Sequence, residues 1–399
     1  MASPVIIAGV GVISAIGNNI AECVNAFKKG EAGISDIVYL DSIHRNKIPV
    51  AEVKLSNQEL AMRSGLSPEI SRTALLSMIA AKEALDDAAI ENLSALRIGF
   101  ISANTVGGMD KTEKFISQFL ANPKKGKLRN VIHHECGSIT ELVADRLGIK
   151  KFITTISTAC SSSANAIFFG ARMIKHDMLD IAVAGGADAI TKFTLNGFNT
   201  LMILDQGYCK PFDENRKGLN IGEGAGYLVL VSERVANSLK KPAYCLLSGY
   251  CNANDAYHQT ASSPNGTGSY LAMQGALKQS GLQPSAINYI NLHGTGTQNN
   301  DISEGLAIKR LFDPLYPKMS STKSFTGHTL GASGSMEAVF SALAIKKGII
   351  YPNLRFQTPM KGLPFIPETV FLQNEAVDHA LSNSLGFGGN CSSLIFSKL

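Results

Sequence analysis

The sequence predicts an α/β fold, in which the strands of a central sheet are separated along the chain by helices. Short apolar runs alternate with longer amphipathic stretches over all 399 residues, a pattern typical of largely parallel strands joined by helices. The composition agrees, because 45% of the residues are hydrophobic, 17% are charged, and 37 glycines indicate many tight turns. A chain of this length forms one large domain or two fused ones.

Individual elements follow from the same patterns. Apolar runs bounded by turn residues predict strands at Val5–Val12, Arg97–Ala103, Phe152–Ser157, Ile181–Gly185, Gly226–Leu230, Ala243–Tyr250, Tyr289–Leu292 and Ser392–Ser397. Amphipathic stretches predict helices at Ile20–Lys29, Ile70–Asp87, Glu135–Leu147, Ala164–His176, Ser269–Ser280, Asp301–Phe312 and Ser333–Lys346.

The chain also shows signs of two halves. A strand-then-loop unit begins near residue 5 and a similar unit begins near residue 243, an order that suggests internal duplication. The polar, Pro-ended segment SLKKP at Ser238–Pro242 indicates a boundary between them. We therefore expect an N-terminal half at 1–240 and a C-terminal half at 241–399.

Charge, hydropathy and cysteine usage exclude several classes of protein. A net charge of +5 is too weak to indicate nucleic acid but is compatible with an acidic protein partner. The N-terminal apolar run lacks a basic leader, and the apolar runs are too short for a membrane span. The 7 cysteines contain no CxxC pair, which fits free thiols in a reducing cytoplasm better than disulfides or zinc. A cytoplasmic location is expected.

The segment FITTISTACSSSANAIFFGARMIKH contains the candidate nucleophile. A β-branched strand leads into a helix rich in small residues that begins at about Cys160. A thiol at a helix N-terminus lies in the positive end of the helix dipole, which favours the thiolate, and the N–H groups there can bind an oxyanion. A single cysteine is more often an inert buried thiol, and this context favours the reactive alternative.

Two histidines lie in Gly/Thr-rich loops that each lead into a helix. His293 begins HGTGTQNND after a predicted strand, and His328 lies in KSFTGHTLGASG, five residues after Lys323. One such histidine is more often structural, and Lys323 alone would be read as a surface lysine. A cysteine with two neutral imidazoles suits thioester condensation, in which the thiol takes an acyl group and the imidazoles donate hydrogen bonds to a thioester oxygen during decarboxylation.

With these residues the sequence resembles the elongating β-ketoacyl-acyl carrier protein synthases of the thiolase-like superfamily. The resemblance spans almost the whole chain and rests on motifs in a fixed order: GVGVISAIGNN, STACSSSANAI, AGGADA, PFDENRKGLNIGEGAG, HGTGTQNND, KSFTGHTLGASG and NSLGFGGNC. It implies a duplicated five-layer α/β/α/β/α fold and an acyltransferase that condenses an acyl thioester with malonyl-acyl carrier protein. It also implies no cofactor of the enzyme's own, since substrates arrive on the phosphopantetheine arm of the carrier.

The resemblance assigns roles to particular residues. It implies a Cys160, His293 and His328 site, with Lys323 and Glu304 supporting the second histidine and the loop electrostatics. The N–H groups of Cys160 and Phe387 would form the oxyanion hole, and Phe387 would act as a gate. Further residues would bind the substrate arm or acyl chain, and some relatives hold a structural cation. The residues implied for the substrate are Thr295, Thr297, Phe198, Val106, Met109, Gly386 and Gly388. The residues implied for the cation are Asn291, Glu337, Ser382 and Asn383.

Partner surfaces are also implied. Relatives are usually homodimers in which the partner subunit closes the acyl pocket, and Val106 and Met109 lie where that contribution would come. The basic run PKKGKLRN would dock an acidic acyl carrier protein through Lys124, Lys125, Lys127 and Arg129, although such clusters are often only solvated surface. The run has no interleaved aromatic residues, which argues against nucleic acid.

Alternatives remain open at this level. Thiolases and initiating synthases belong to the same superfamily. Thiolases need a second cysteine near the C-terminus, but the candidate here, Cys391, lies outside a thiolase-like CxGG string. Initiating synthases have Asn at the position where this chain has His328. The chain could also be the active or the scaffold subunit of a ketosynthase/chain-length-factor heterodimer. Departures from the family pattern at Leu219, Asn220, Gln298 and Leu385 touch loops that could reshape the pocket, so the acyl chain type and the pathway stay undetermined.

Overall fold

The computed structural model describes residues 4–91 and 95–399. Its strands are β1 (Val5–Ser14), β2 (Ile98–Ala103), β3 (Phe152–Ile156), β4 (Ile181–Asp188), β5 (Gly224–Ser232), β6 (Cys245–Asn254), β7 (Tyr289–Asn291), β8 (Lys318–Ser320), β9 (Ile349–Ile350), β10 (Leu372–Gln373), β11 (His379–Leu385) and β12 (Asn390–Ser397). Its helices are α1 (Ile20–Lys29), α2 (Asn57–Ser64), α3 (Arg72–Ala88), α4 (Met109–Ala121), α5 (Cys136–Arg146), α6 (Ser162–Lys175), α7 (Lys192–Thr200), α8 (Glu233–Ala236), α9 (Thr267–Ser280), α10 (Gln298–Phe312), α11 (Lys323–Thr326) and α12 (Ser333–Lys347).

Ten of the strands form one sheet in the order β3-β2-β4-β5-β1-β6-β12-β11-β7-β8. The first five strands in this order come from the N-terminal half and the last five from the C-terminal half. If only the strands of this sheet are counted, from the first strand of each half, both halves have the order 3-2-4-5-1, read in opposite directions from the β1–β6 junction. The predicted internal duplication therefore appears as a repeated strand order, whereas the boundary at residue 240 stays a prediction.

Strand direction differs from the prediction of a largely parallel sheet. The outer pairs β3–β2, β2–β4, β11–β7 and β7–β8 are parallel. The central pairs, from β4–β5 through β11–β12, are all antiparallel. The prediction was wrong because a continuous apolar run shows that both faces of a strand are buried but does not show the direction of its neighbour.

The layers are organised around two central helices. Helices α6 and α12 contact each other, and one hydrophobic core joins them to the inner faces of both halves of the sheet. Helices α2, α3 and α5 cover the outer face of the N-terminal half, and α9 and α10 cover the outer face of the C-terminal half. This order of helix, sheet, helix, sheet and helix confirms the predicted five-layer α/β fold.

The central position of α12 explains its sequence. Every residue from Ser333 to Ile345 is buried, so the helix has no solvent-facing side there and carries small or apolar residues at every position except Glu337. Its N-terminal turn packs so tightly on α6 that a Cβ at Gly334 would lie 2.9 Å from Ala164 Cβ. The start of the cysteine-bearing helix is therefore held directly against the segment that follows His328.

Several elements were not predicted from the sequence, namely α2, α4, α7, α8, α11, β8, β9, β10 and β11. The most important is β11, where Ser382, Asn383 and Ser384 are buried. The polar residues of β11 do not give the apolar pattern from which strands were predicted, because its side chains are surrounded by other buried polar groups. Among the described residues, no helix is both long enough and apolar enough to cross a membrane.

The contact between α3 and β1 gives a test of the packing. A Cβ on Gly11 would lie 2.2 Å from Ala80 O and 2.6 Å from Ala84 N, both backbone atoms of α3. Gly11→Ala should therefore lower the free energy of unfolding by about 1–3 kcal/mol through overpacking. The matched control is Gly197→Ala, where an added Cβ meets no described atom within 4 Å. Chemical denaturation of both variants checks this, and equal stability would contradict the close approach.

Candidate active site

Cys160 lies in a tight turn between β3 and α6. The preceding residue, Ala159, has φ of 54°, in the left-handed region that non-glycine residues seldom adopt. The turn is fixed by Ser162, whose hydroxyl accepts a hydrogen bond from Thr158 N at 2.8 Å. The strained turn places the thiol two residues before the first residue of α6, so Cys160 lies at the N-terminus of this helix as the sequence predicted.

One of the two predicted histidines contacts this thiol, and the other packs against the first. His328 Nε2 is 3.2 Å from Cys160 Sγ, and the rings of His293 and His328 are 5.3 Å apart and nearly perpendicular. All three side chains are buried. Three groups far apart in the sequence therefore meet at one point, with the thiol contributed by one half of the fold and both imidazoles by the other.

Lys323 is fully buried beside His293. Its ammonium group is 3.3 Å from His293 Nδ1, donates to His293 O at 2.6 Å, and forms an ion pair with Glu337. An ammonium group can only donate hydrogen bonds, so His293 Nδ1 must be the acceptor and its proton must lie on Nε2. The resemblance implied that Lys323 supports the second histidine, His328, but in the structure its hydrogen bonds go to the first histidine, His293.

Glu304 also acts on the His293 loop. Its carboxylate accepts hydrogen bonds from His293 N and Gly294 N, both at 2.9 Å, and from the Asn383 side chain at 3.0 Å. Burial raises the pKa of this carboxyl group to about 7, and the three hydrogen bonds oppose the rise. Glu304 thus fixes the backbone of the first histidine and, among the described residues, forms no hydrogen bond with His328, so the implied support of the second histidine was wrong.

Burial controls the charge of the reacting groups. It lowers the pKa of both His293 and His328 well below the usual value, and the Lys323 charge acts in the same direction, so both imidazoles are neutral. Burial also raises the pKa of Cys160 to about 11, although Lys323 and the N–H groups of Phe387 and Cys160 oppose this. The expected thiolate is therefore not the resting form, because loss of solvent outweighs the favourable position at the helix N-terminus.

His328 is held through its backbone by the loop that departs from the family pattern. His328 N donates to Asn220 O at 2.7 Å, and Gly222 N donates to His328 O at 2.9 Å. The buried Asn220 side chain accepts from Cys209 N and donates to three carbonyl groups of neighbouring loops. The polar residue at position 220 therefore ties together the loops around His328.

A cavity of about 410 Å³ opens onto the thiol and both imidazoles. Several predicted substrate residues line it, namely Phe198, Thr295, Thr297, Gly386, Phe387 and Gly388. The rings of Phe198 and Phe387 stack at 5.8 Å, and the hydroxyls of Thr295 and Thr297 are 2.9 Å apart. Val106 and Met109 do not line this cavity, so their predicted contribution to an acyl pocket stays a prediction.

One wall of the cavity was missed by the sequence analysis. The loop after β6 contributes Asp255 and the run Thr260–Ser262. It is joined to the glycine-rich turn at 386–389, because Gly388 N donates to Gln259 O at 2.7 Å and Asp255 N donates to Gly389 O at 2.8 Å. The string DAYHQTASS, rich in small and polar residues directly after a strand, was the available signal.

The four residues predicted to hold a cation fall into two groups. Asn291 and Ser382 are direct neighbours on adjacent strands, and their side-chain polar atoms and Glu337 Oε2 are buried without a hydrogen-bond partner among the described residues. Asn383 instead uses its amide to bind Glu304 and to accept from Ser393. Orphaned oxygens of Asn291, Glu337 and Ser382 fit a hard cation, whereas the Asn383 side chain is already satisfied.

The predicted docking residues are exposed. Lys124, Lys125, Lys127 and Arg129 follow α4 on the surface, and Arg129 forms a long ion pair with Glu69 at 4.0 Å. Apolar side chains on the same segment are also exposed, namely Ile116, Phe119, Leu120, Leu128 and Ile132. The segment therefore combines a basic loop with an exposed apolar surface.

Comparisons with known proteins agree with this geometry. Residues 2–236 match the family described as "Beta-ketoacyl synthase, N-terminal domain", and residues 244–357 match "Beta-ketoacyl synthase, C-terminal domain". The chain is 34% identical over 407 residues to a 3-oxoacyl-[acyl-carrier-protein] synthase 2 of Staphylococcus aureus, covering 99% of this chain and 98% of the relative.

Two solved structures are similar over the full chain. The ishigamide ketosynthase/chain length factor superimposes with a TM-score of 0.93 at 29% identity, covering 100% of both chains. A type II PKS acyl-carrier protein in complex with its ketosynthase bound to the hexaketide gives a TM-score of 0.90 at 26% identity, again covering 100% of both chains.

The high pKa of Cys160 predicts how its reactivity depends on pH. Below a pKa of about 11 the thiol form dominates, so the rate of alkylation by iodoacetamide should rise about tenfold per pH unit from pH 7 to 9. Peptide mass mapping follows Cys160 separately from the other cysteines. A rate that is already constant between pH 7 and 8 would show a resting thiolate and contradict the dominant effect of burial.

Proposed function

Because the chain belongs to the β-ketoacyl synthase family, we propose that it is an acyltransferase that performs decarboxylative Claisen condensation. It transfers an acyl group to Cys160 and condenses it with malonyl-acyl carrier protein, giving a β-ketoacyl-acyl carrier protein. The observation that carries the proposal is the meeting of one thiol and two neutral imidazoles at the end of one cavity.

The first half-reaction forms the acyl-enzyme. Cys160 Sγ attacks the carbonyl carbon of the incoming thioester, the bond from that carbon to the carrier's sulfur breaks, and the thiol proton leaves with the carrier as its free thiol. The negative oxygen formed in between is stabilised by the N–H groups of Cys160 and Phe387. Both groups lower the pKa of the Cys160 thiol, which supports their placement around the reacting atoms.

The second half-reaction forms the carbon–carbon bond. The malonyl carboxylate leaves as carbon dioxide, and the thioester oxygen takes up the negative charge as an enolate. His293 and His328 donate hydrogen bonds to that oxygen from Nε2. The enolate carbon then attacks the acyl carbonyl, and Cys160 leaves as a thiolate that regains a proton. Neutral imidazoles suit this step because they can donate without already carrying charge.

Lys323 and Glu304 act as positioning residues in this scheme. Lys323 holds the proton of His293 on Nε2, and Glu304 fixes the backbone of the same loop. A cation bound by Asn291, Glu337 and Ser382 would supply positive charge that keeps the Glu337 carboxylate ionised beside Lys323. The proposed chemistry uses the chain's own side chains and needs no organic cofactor.

The substrate arm enters through the cavity. Thr295 and Thr297 on the wall offer hydroxyls to the amide groups of a phosphopantetheine arm, and Phe387 lies where the acyl chain must pass. The acyl carrier protein docks on the surface around Lys124, Lys125, Lys127 and Arg129. The similar ketosynthase solved in complex with its acyl-carrier protein supports a carrier as the substrate's source.

A partner subunit covers the exposed apolar side chains of α4, namely Ile116, Phe119 and Leu120. Strand β3 is an edge of the ten-stranded sheet, and its Ile153 is also exposed. An unpaired edge strand and a group of exposed apolar side chains are each surfaces that soluble proteins usually cover. A homodimer would cover these surfaces. The likeness to a ketosynthase/chain length factor favours a heterodimer as the second candidate, in which this chain is the active subunit because it carries Cys160. The enzyme is proposed to act in the cytoplasm.

Intact-mass spectrometry tests the proposed reaction. Purified protein is incubated with acyl carrier proteins that bear different acyl chains, and malonyl-acyl carrier protein is then added. We expect an acyl adduct on the wild type, absent in Cys160→Ala, that malonyl-acyl carrier protein discharges to a β-ketoacyl product. Cys391→Ala is the matched control, since Cys391 lines the same cavity and its loss must leave the adduct in place. An adduct on Cys391, or none with any chain in the presence of a partner subunit, contradicts the proposal.

Charge reversal tests the docking surface. Lys124→Glu/Lys125→Glu should raise the KM for acyl carrier protein about tenfold at low salt with little change in kcat, because complementary charge speeds encounter. An acyl-pantetheine substrate without the protein should be turned over normally. Lys278→Glu, an exposed lysine on α9, is the matched control. An equal effect of Lys278→Glu, or no effect at positions 124 and 125, would contradict docking at this loop.

A further inference from the structure

His328 has a second polar neighbour on the side of the ring away from Cys160. Its Nδ1 atom is 2.9 Å from Ser333 Oγ, and Ser333 Oγ is 3.2 Å from Thr329 Oγ1. All three side chains are buried. The result is a short chain of polar groups, Thr329–Ser333–His328, that ends at the Cys160 thiol.

Counting hydroxyl protons shows in which direction the hydrogen bonds of Thr329, Ser333 and His328 run. If Thr329 donates to Ser333 and Ser333 donates to His328 Nδ1, every hydroxyl proton has an acceptor. If the direction is reversed, the Thr329 hydroxyl must donate to another acceptor. Among the described residues its side chain has no hydrogen-bond partner other than Ser333 Oγ, so its proton would have no acceptor. A buried hydroxyl left without an acceptor is costly, so the first direction is favoured.

We propose that Ser333 and Thr329 are positioning residues that hold His328 in the tautomer with its proton on Nε2. The inference rests on the proposed condensing function and extends it. His328 then points an N–H group at the site where the enolate oxygen forms. Its neutral state fits this role, since burial and Lys323 lower its pKa well below the usual value.

The two imidazoles would thus reach the same tautomer by different means. His293 receives its Nδ1 hydrogen bond from the Lys323 ammonium, whereas His328 receives its own from a neutral hydroxyl. A second ammonium group at that position would add a positive charge beside the thiol. The hydroxyl pair sets the tautomer of His328 without changing the charge of the site.

In this tautomer His328 cannot accept the Cys160 proton on Nε2, so its main contribution is to the malonyl step. Loss of the Ser333 hydroxyl should therefore affect decarboxylation more than the reactivity of the thiol. A residue needed only for folding would impair both steps together. This difference separates a positioning role from a structural one.

The experiment combines spectroscopy with the two half-reactions. Protein labelled with ¹⁵N-histidine, with His328 assigned by comparison with His328→Asn, should show the His328 proton on Nε2. Ser333→Ala should give a mixture of tautomers and slow carbon dioxide release from malonyl-acyl carrier protein about tenfold. The rate of Cys160 alkylation should change less than about twofold.

Further variants keep the test informative. Thr329→Val, which keeps the volume but removes the hydroxyl, should act in the same direction, and Thr329→Ser should behave as the wild type. Ser335→Ala is the control, since this buried hydroxyl of α12 donates to Ala332 O, away from His328. A His328 proton on Nδ1 in the wild type, equal rates in Ser333→Ala and Ser335→Ala, or an equal loss in both half-reactions would overturn the proposal. If wild-type protein alkylates normally but releases no carbon dioxide, the condensing function itself fails instead.

Discussion

The active site depends on one buried ammonium group. Lys323 Nζ contacts His293 Nδ1, His293 O and Glu337, so its three protons are all directed to acceptors. A charge in this position would be very unfavourable without those partners. Burial lowers the pKa of both imidazoles, the Lys323 charge lowers it further, and the same charge partly offsets the effect of burial on the Cys160 thiol. The orientation of His293 and the ion pair with α12 therefore depend on this one side chain, which also adds to the effect of burial on the imidazoles.

The duplicated fold explains how the parts of the site are brought together. The thiol lies at the start of α6 in the N-terminal half, and both imidazoles lie in loops of the C-terminal half. Their distance is fixed because α6 and α12 form the central layer and touch at Gly334 and Ala164. Rigid, closely packed helices can hold a thiol 3.2 Å from an imidazole more reliably than mobile surface loops can.

Sequence alone was sufficient for the reacting groups and less so for their surroundings. Cys160, His293 and His328 could be predicted because each lies in a recognisable segment rich in small residues that leads into a helix. Lys323 would be read alone as a surface lysine, and its burial against the first histidine depends on long-range packing. The roles of Asn220 and Ser333 come from contacts between distant loops or from the fold of one loop, which residue patterns do not show. Burial raises the pKa of Cys160, so the thiolate expected from its place at a helix N-terminus is not the resting form. The apolar runs also could not show whether neighbouring strands are parallel or antiparallel.

The central claim is that the Lys323 charge organises the malonyl step, and carbon dioxide release by Lys323→Met tests it most directly. The variant should keep its fold, because the neighbouring Glu337, whose pKa burial raises to about 7, can take up a proton. We predict that it still forms the acyl adduct on Cys160 but decarboxylates malonyl-acyl carrier protein at least about a hundredfold more slowly. A folded Lys323→Met protein that releases carbon dioxide at the wild-type rate would contradict the account.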